Sequence, residues 1–203
     1  MILPPGLGFG AHLCITMSLP LALKPILRKG ALRVSMNLPH SIDPPIQGTC
    51  LHLQAVQEGD TPFLMELYAS TREGELNSTG WDSQQRQTFV EMQFRLREAH
   101  YRSHFPQSRF DLVVKGEERI GSIRVQVSDI EFRVVDIALL PAHQGQGYGS
   151  LLLRQVQSQA AEARLPVRLH VVLHSDAIKL YERLGFRSVQ TNGCYLGMEW
   201  IPG

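Results

Sequence analysis

Three glycines alternate in the segment Pro141-Ala142-His143-Gln144-Gly145-Gln146-Gly147-Tyr148-Gly149-Ser150. The run before it, Phe132 to Leu140, is apolar on both faces and reads as a central strand. The run after it carries Leu152, Val156, Ala160 and Ala163 on one helical face. A glycine loop between a buried strand and a helix start aims several backbone N–H groups outward at the positive end of the helix. That is an anion cradle suited to a pyrophosphate, and glycine lets the backbone approach it closely. A Walker loop requires Gly-Lys-Ser/Thr, where this chain has Gly-Tyr-Gly-Ser. A dinucleotide fingerprint requires a third glycine where Ser150 stands, and it opens the first βαβ unit of its domain. What remains is Gln-x-x-Gly-x-Gly at Gln144, Gly147 and Gly149.

The elements that must position this loop alternate along the chain from Thr49. A strand with period-2 alternation covers Leu51, Leu53 and Ala55. Asp60 and Pro62 mark the start of a helix through Tyr68, and Glu73 to Gly80 reads as a polar break. A second helix covers about 83–103, with Phe89, Met92, Leu96 and Ala99 as its apolar stripe. Strands follow at Phe110–Val114 and Ile123–Val127, with a turn at Lys115-Gly116-Glu117. After the loop and its helix come a strand over Val167–Leu173, a short helix capped by Ser175 and closed by Gly185, and two strands joined at Asn192-Gly193. The predicted order is β-α-α-β-β-β-α-β-α-β-β. This is an α/β (α+β) fold with a mixed, mostly antiparallel sheet of six to seven strands and about four flanking helices.

The loop resembles motif A of the GNAT superfamily of N-acetyltransferases: Arg or Gln, two residues, Gly, one residue, then Gly or Ala. About 30 residues on, His174-Ser175-Asp176-Ala177-Ile178-Lys179-Leu180-Tyr181-Glu182-Arg183-Leu184-Gly185-Phe186 resembles motif B, Asn-x-x-Ala-x-x-Leu-Tyr-x-x-x-Gly-Phe. The resemblance covers about residues 49–201. It implies acetyl-CoA as co-substrate, without a metal, and acetyl transfer to a primary amine by direct attack in a ternary complex. The acceptor would be a small molecule or a peptide. The backbone of Leu139 would meet the acetyl-pantetheine arm. Gln144, Gly145, Gln146, Gly147, Tyr148, Gly149 and Ser150 would hold the pyrophosphate, and His174 would stand near the pantetheine. Tyr181 would face the leaving thiolate. A tyrosine near pKa ~10 opposite a thiol near ~8.5 makes full proton transfer uphill by roughly 2 kcal/mol, so a hydrogen bond to the developing charge is the better role. Asp136 is the nearest acid to the loop. On an otherwise apolar strand it is either a cleft residue and general base or half of an ion pair. Glu131, His170 and His174 are further base candidates, the two histidines by sharing a strand face. His143 reads as a rim residue. Tyr68, Trp81, Phe89, Phe94, Tyr101 and Phe105 read as core with the capacity to line an acceptor pocket. Two departures from the family stand out: His174 replaces the usual asparagine, and Arg133 stands where some relatives carry a catalytic glutamate. They motivate an alternative, a non-catalytic acyl-CoA-binding sensor or partner module.

Composition limits the rest. The 203 residues are 43% hydrophobic, enough for one domain with a real core. A net charge of +1 offers no field for nucleic acid or anionic lipid, and no 18-residue apolar run suggests a membrane span. Cys14, Cys50 and Cys194 are odd in number and widely spaced, which points to reduced thiols and a cytoplasmic setting. Residues 1–48 carry Lys24, Arg28, Lys29 and Arg33 against Asp43 alone, and seven of the 12 prolines. They are expected to form a poorly ordered extension to a GNAT-like domain over 49–203. The apolar stretch from Leu13 to Leu23 precedes the charges and contains Pro20, the reverse of a secretory signal. A monomer or homodimer is expected.

Overall fold

Period-2 apolar alternation builds seven strands, and 3.6-residue stripes lay helices on both faces of the sheet they form. The structure is a computed structural model that describes residues 51–203; the expected extension over 1–48 lies outside the described residues. In chain order the elements are β1 (Leu51–Ala55), α1 (Thr61–Thr71), α2 (Glu73–Asn77), α3 (Ser83–His104), β2 (Arg109–Lys115), β3 (Glu118–Val127) and β4 (Phe132–Leu139). Then follow α4 (Tyr148–Glu162), β5 (Val167–Val172), α5 (Ala177–Arg183), β6 (Arg187–Asn192) and β7 (Tyr195–Trp200). The strands form one sheet in the order β1-β2-β3-β4-β5-β7-β6, antiparallel at every pairing except β4 with β5. This is the expected mixed sheet, with one helix more than expected. The segment read as a polar break contains α2, which buries Leu76 and ties Glu75 to Arg72 at 2.8 Å.

Two cores result. On one face α4 and α5 bury Leu152, Leu153, Val156 and Tyr181 against Ile123, Phe132, Val134 and Leu169. On the other, α1 and α3 bury Leu64, Tyr68, Val90 and Phe94 against Leu112 and Val114. The buried face of α3 differs from the apolar stripe read in the sequence. Met92 and Leu96 are 48% and 41% exposed, whereas Val90, Gln93, Phe94 and Tyr101 are buried. The inward face includes Arg97 and Glu98, whose charges are met by Asp136 and Arg124 on the sheet. A hydrophobicity pattern cannot register charged residues that turn inward because the sheet supplies their counterions. Asp82 and Gln85 start α3 with a reciprocal capping box at 2.8 and 3.0 Å. Asp60, expected to cap α1, instead accepts from the Gln57 N–H at 2.8 Å and pairs with Arg119 at 3.2 Å. Cys194 is disulfide-bonded, which corrects the expectation of three reduced thiols. Sequence separation does not report which thiols approach in space. Among the described residues, no helix is long and apolar enough to cross a membrane and no side-chain cluster has the makings of a metal site.

The feature that positions the site is the parting of β4 from β5. They pair only at Phe132–Val167, Arg133–Arg168 and Val134–Leu169. Val135 is then skipped in the β3–β4 register, a bulge that bends β4. Beyond it β4 stays with β3 as far as Leu139, while β5 stays with β7 as far as Val172. Gly121 allows β3 to hold the bent end of β4, because a Cβ there would stand 2.3 Å from the Ala138 carbonyl oxygen and 2.7 Å from Leu139 Cδ2. Backbone is the obstacle, so the clash cannot be relieved by a rotamer change. Gly121→Val is expected to lower the unfolding free energy by about 1–3 kcal/mol, the usual cost of overpacking. Urea denaturation measures it, and an unchanged midpoint would refute the close approach.

Candidate active site

The loop after β4 is braced by its own side chains. Gln144 Nε2 donates to the Leu139 carbonyl at 2.8 Å, and Gln146 Nε2 donates to the Ala142 carbonyl at 2.7 Å. These two glutamines therefore shape the cradle. Gly145 and Gly147 have φ of +71° and +88°, the left-handed region, and a Cβ at either would enter open space. Gly147 is the N-cap of α4, whose first backbone bond runs from the Leu151 N–H to the Gly147 carbonyl at 3.0 Å. The N–H groups of Gly145 through Ser150 consequently have no hydrogen-bond partner among the described residues. They stand together at the positive end of a 15-residue helix. Tyr148 has only its N–H to offer, since its ring is 4% exposed in the core with Lys115 Nζ 5.4 Å from its centroid. Gly149 packs toward α5, where a Cβ would touch Leu180 at 3.5 Å. His143 stays on the rim, where its Nε2 lies 3.1 Å from Glu118.

The opened strands supply the second part. The Leu140 N–H donates to the Ile120 carbonyl on the β3 side. By strand alternation, Ile137 and Leu139 turn their backbone groups away from β3 toward the gap left by β5. The Leu139 carbonyl is taken by Gln144, so its N–H is the group left for a ligand. Across the gap α5 presents Tyr181, 7% exposed and edge-on to Phe186 with centroids 5.8 Å apart. A cavity of about 400 Å³ lies between α1, α3 and the parted strands, and both Tyr181 and Asp136 line it. Burial first, and the Asp136 charge second, push the Tyr181 hydroxyl up to about 12. The same two influences, in the same order, push the buried Tyr101 hydroxyl far up.

Asp136 combines the two readings made of it: it lines the cavity, and its Oδ2 lies 3.8 Å from Arg97 Nη1. The other base candidates differ: Glu131 and His170 have partners of their own, although His170 also lines the cavity. Glu131 accepts from Arg133 at 2.6 Å and from Arg168 at 2.8 Å. His170 Nδ1 lies 3.2 Å from Arg133 Nη1. A guanidinium only donates, so Nδ1 is the acceptor and the neutral ring carries its proton on Nε2. Burial and then Arg133 lower the His170 pKa, which keeps the ring neutral. His174 does not share a face with His170. β5 ends at Val172, and His174 sits exposed in the following turn with φ +67°. That left-handed conformation is one asparagine adopts readily and histidine less so. Of the aromatic residues, Tyr68, Tyr101 and Phe105 line the cavity, whereas Trp81 and Phe89 pack on each other 5.0 Å apart and stay outside its lining. Arg97 is a cavity residue that the sequence reading missed. The available signal was its spacing from Gln93 and Tyr101, one turn away on either side.

Residues 106–188 match the family model described as an acetyltransferase (GNAT) domain. Over that stretch the chain is similar to the GNAT acetyltransferase domain. Solved structures agree with this fold. The PaiA N-acetyltransferase of Thermoplasma acidophilum, in complex with coenzyme A, is 17% identical over 74% of this chain and 98% of its own, with a TM-score of 0.56. An acetyltransferase of Thermus thermophilus is 19% identical over 74% and 96%, at 0.57. Arabidopsis thaliana Naa50, bound to a bisubstrate analogue CoA-Ac-MVNAL, is 16% identical over 74% and 97%, at 0.50. No curated protein matches the chain by sequence.

The loop before α4 can be tested directly. Gly147→Val introduces no clash with the protein, only the local strain of a side chain at positive φ, roughly 1–2 kcal/mol. It places a branched side chain in the open space before the free N–H groups. Calorimetry is expected to show CoA affinity reduced at least tenfold with thermal unfolding still cooperative; wild-type affinity would remove the cradle from the binding site.

Proposed function

We propose that this GNAT-like domain is an acetyl-CoA-dependent N-acetyltransferase that acetylates a primary amine by direct attack in a ternary complex. The observation that carries the reading is the continuity of three parts: the unpartnered N–H groups from Gly145 to Ser150, the inward backbone of Ile137 and Leu139, and the cavity holding Tyr181 and Asp136. Acetyl-CoA supplies an activated acyl group on sulfur. The left-handed glycines and the free N–H groups fit its diphosphate. The PaiA structure is in complex with coenzyme A and the Naa50 structure with a CoA-peptide analogue, which supports a CoA ligand for this fold.

The chain's own residues divide the remaining work. The loop and the positive end of α4 offset diphosphate charge. The Leu139 N–H donates toward the acyl arm where the strands part. The carboxylate of Asp136, within the cavity, attracts the ammonium form of an acceptor and takes or relays its proton. Tyr181 stays protonated throughout the physiological range, with its pKa pushed up to about 12. Against a thiol near ~8.5, full proton transfer from it is uphill by about 5 kcal/mol. Its hydroxyl therefore acts by donating a hydrogen bond to the developing sulfur charge, with the proton itself coming from water.

A second reading is a domain that binds acyl-CoA without turnover. Arg133 in place of a glutamate, and the ion pairing of Asp136, favour it. Thiol release measured across an amine panel separates the two, since a binding module releases none. With an accepted amine, Tyr181→Phe is expected to lower kcat on the order of 10²-fold while CoA affinity changes little. Full activity in this variant would reduce Tyr181 to a packing residue.

A further inference from the structure

The acceptor end of the cavity holds a charge that acetyl transfer as such does not require. Arg97 lines the cavity and stacks over the Tyr68 ring, 4.4 Å from its centroid. Its guanidinium makes no hydrogen bond among the described residues. The nearest acidic oxygens are those of Glu98 at 3.7 Å and Asp136 at 3.8 Å, and its Nε is buried without a partner. Arg124 holds the other oxygen of Glu98, Oε2, at 2.5 Å. A guanidinium carries five donors in a planar fork whose geometry matches a carboxylate, and leaving buried donors unbonded is costly. A ligand oxygen at this point removes that cost.

The counter-charge beside it defines the ligand further. Arg97 Nη1 and Asp136 Oδ2 stand 3.8 Å apart. In an α-amino acid, standard bond lengths put the amino nitrogen and a carboxylate oxygen roughly 3 Å apart. A zwitterionic head group thus pairs reciprocally with the two side chains, carboxylate on Arg97 and ammonium on Asp136. Tyr68, Tyr101, Phe105 and Tyr195 add aromatic surface to a lining that also holds Glu75, and about 400 Å³ accommodates one amino-acid side chain. The other guanidiniums of the lining are already paired, Arg72 with Glu75 and Arg133 with Glu131.

Resting on the acetyl-transfer reading, we propose that the acceptor is a free α-amino acid with an apolar or aromatic side chain, its carboxylate gripped by Arg97. The ammonium first loses a proton, by way of Asp136, to water. The amine lone pair then forms the N–C bond to the acyl carbon as the C–S bond breaks, the thiolate takes a proton, and the attacking nitrogen releases its second. The products are an N-acetyl amino acid and free CoA, with one net proton released.

The test compares L-phenylalanine with L-phenylalanine amide, phenethylamine and spermidine as acceptors of the wild-type chain, read as thiol release from acetyl-CoA. The expected kcat/KM for the free acid exceeds that of each carboxylate-free amine by about 100-fold or more, as a site built around a buried donor rejects ligands lacking its acceptor. Arg97→Gln is expected to narrow that ratio. Amines without a carboxylate turning over as well as the acid would overturn the proposal, as would a ratio unchanged in Arg97→Gln. Calorimetry with L-phenylalanine, added after CoA has bound, gives a readout free of turnover. Saturable binding is expected; no binding overturns the amino-acid assignment and leaves the acetyl-transfer reading standing. Failure of CoA itself to bind overturns both.

Discussion

Everything at the candidate site depends on two parallel strands that pair for three residues and then part. A sheet interior normally satisfies every backbone N–H and C=O with a neighbouring strand. Where β4 leaves β5 after Val134, that rule is suspended for Ile137 and Leu139. Their backbone groups face a gap, with Ile137 lining the cavity below α3 and Leu139 leading into the loop before α4. The bulge at Val135 bends β4, and the absence of a side chain at Gly121 lets β3 follow it. Without that departure the loop would still end in a helix N-terminus, but nothing would join it to Tyr181 and Asp136.

Asp136 is the electrostatic centre of the cavity. Its charge acts on Arg97, Tyr101 and Tyr181, which come from two different helices. Burial alone would lower the pKa of Arg97, yet Asp136, followed by Tyr101 and Glu98, holds it above its usual value. The arrangement keeps both tyrosines protonated and Arg97 charged, so hydrogen-bond donors surround the Asp136 carboxylate in the cavity. The network of Glu131, Arg133, Arg168 and Glu199 on the neighbouring strands is closed by short ion pairs. Arg133 here braces β4 to β5 through His170.

What the sequence made legible follows from locality. The glycine loop, the α4 stripe and the Ala177-to-Phe186 segment are local patterns, and each is found where its spacing placed it. Gly185 at φ +85° and Gly193 at φ +58° occupy the turns that their types require. The acceptor side was less legible, because its residues are assigned by contacts distant in the chain. Arg97 faces inward only because Asp136, 39 positions later, meets it there. The apolar stripe through Met92 and Leu96 was a real pattern on the wrong face of α3. Alternation also failed at His174, because the strand stops at Val172 and a left-handed turn intervenes. A bulge such as that at Val135 has no residue-type signature at all.

The central claim is that the parted strands and the free N–H groups before α4 together form one ligand site. Backbone amide chemical shifts recorded during a CoA titration test it most directly, because they report each N–H separately. The largest shifts are expected at Gly145 through Ser150 and at Leu139, with the amides of β1 and β6 unmoved. Saturable CoA binding that leaves Gly145 through Ser150 unshifted would contradict it.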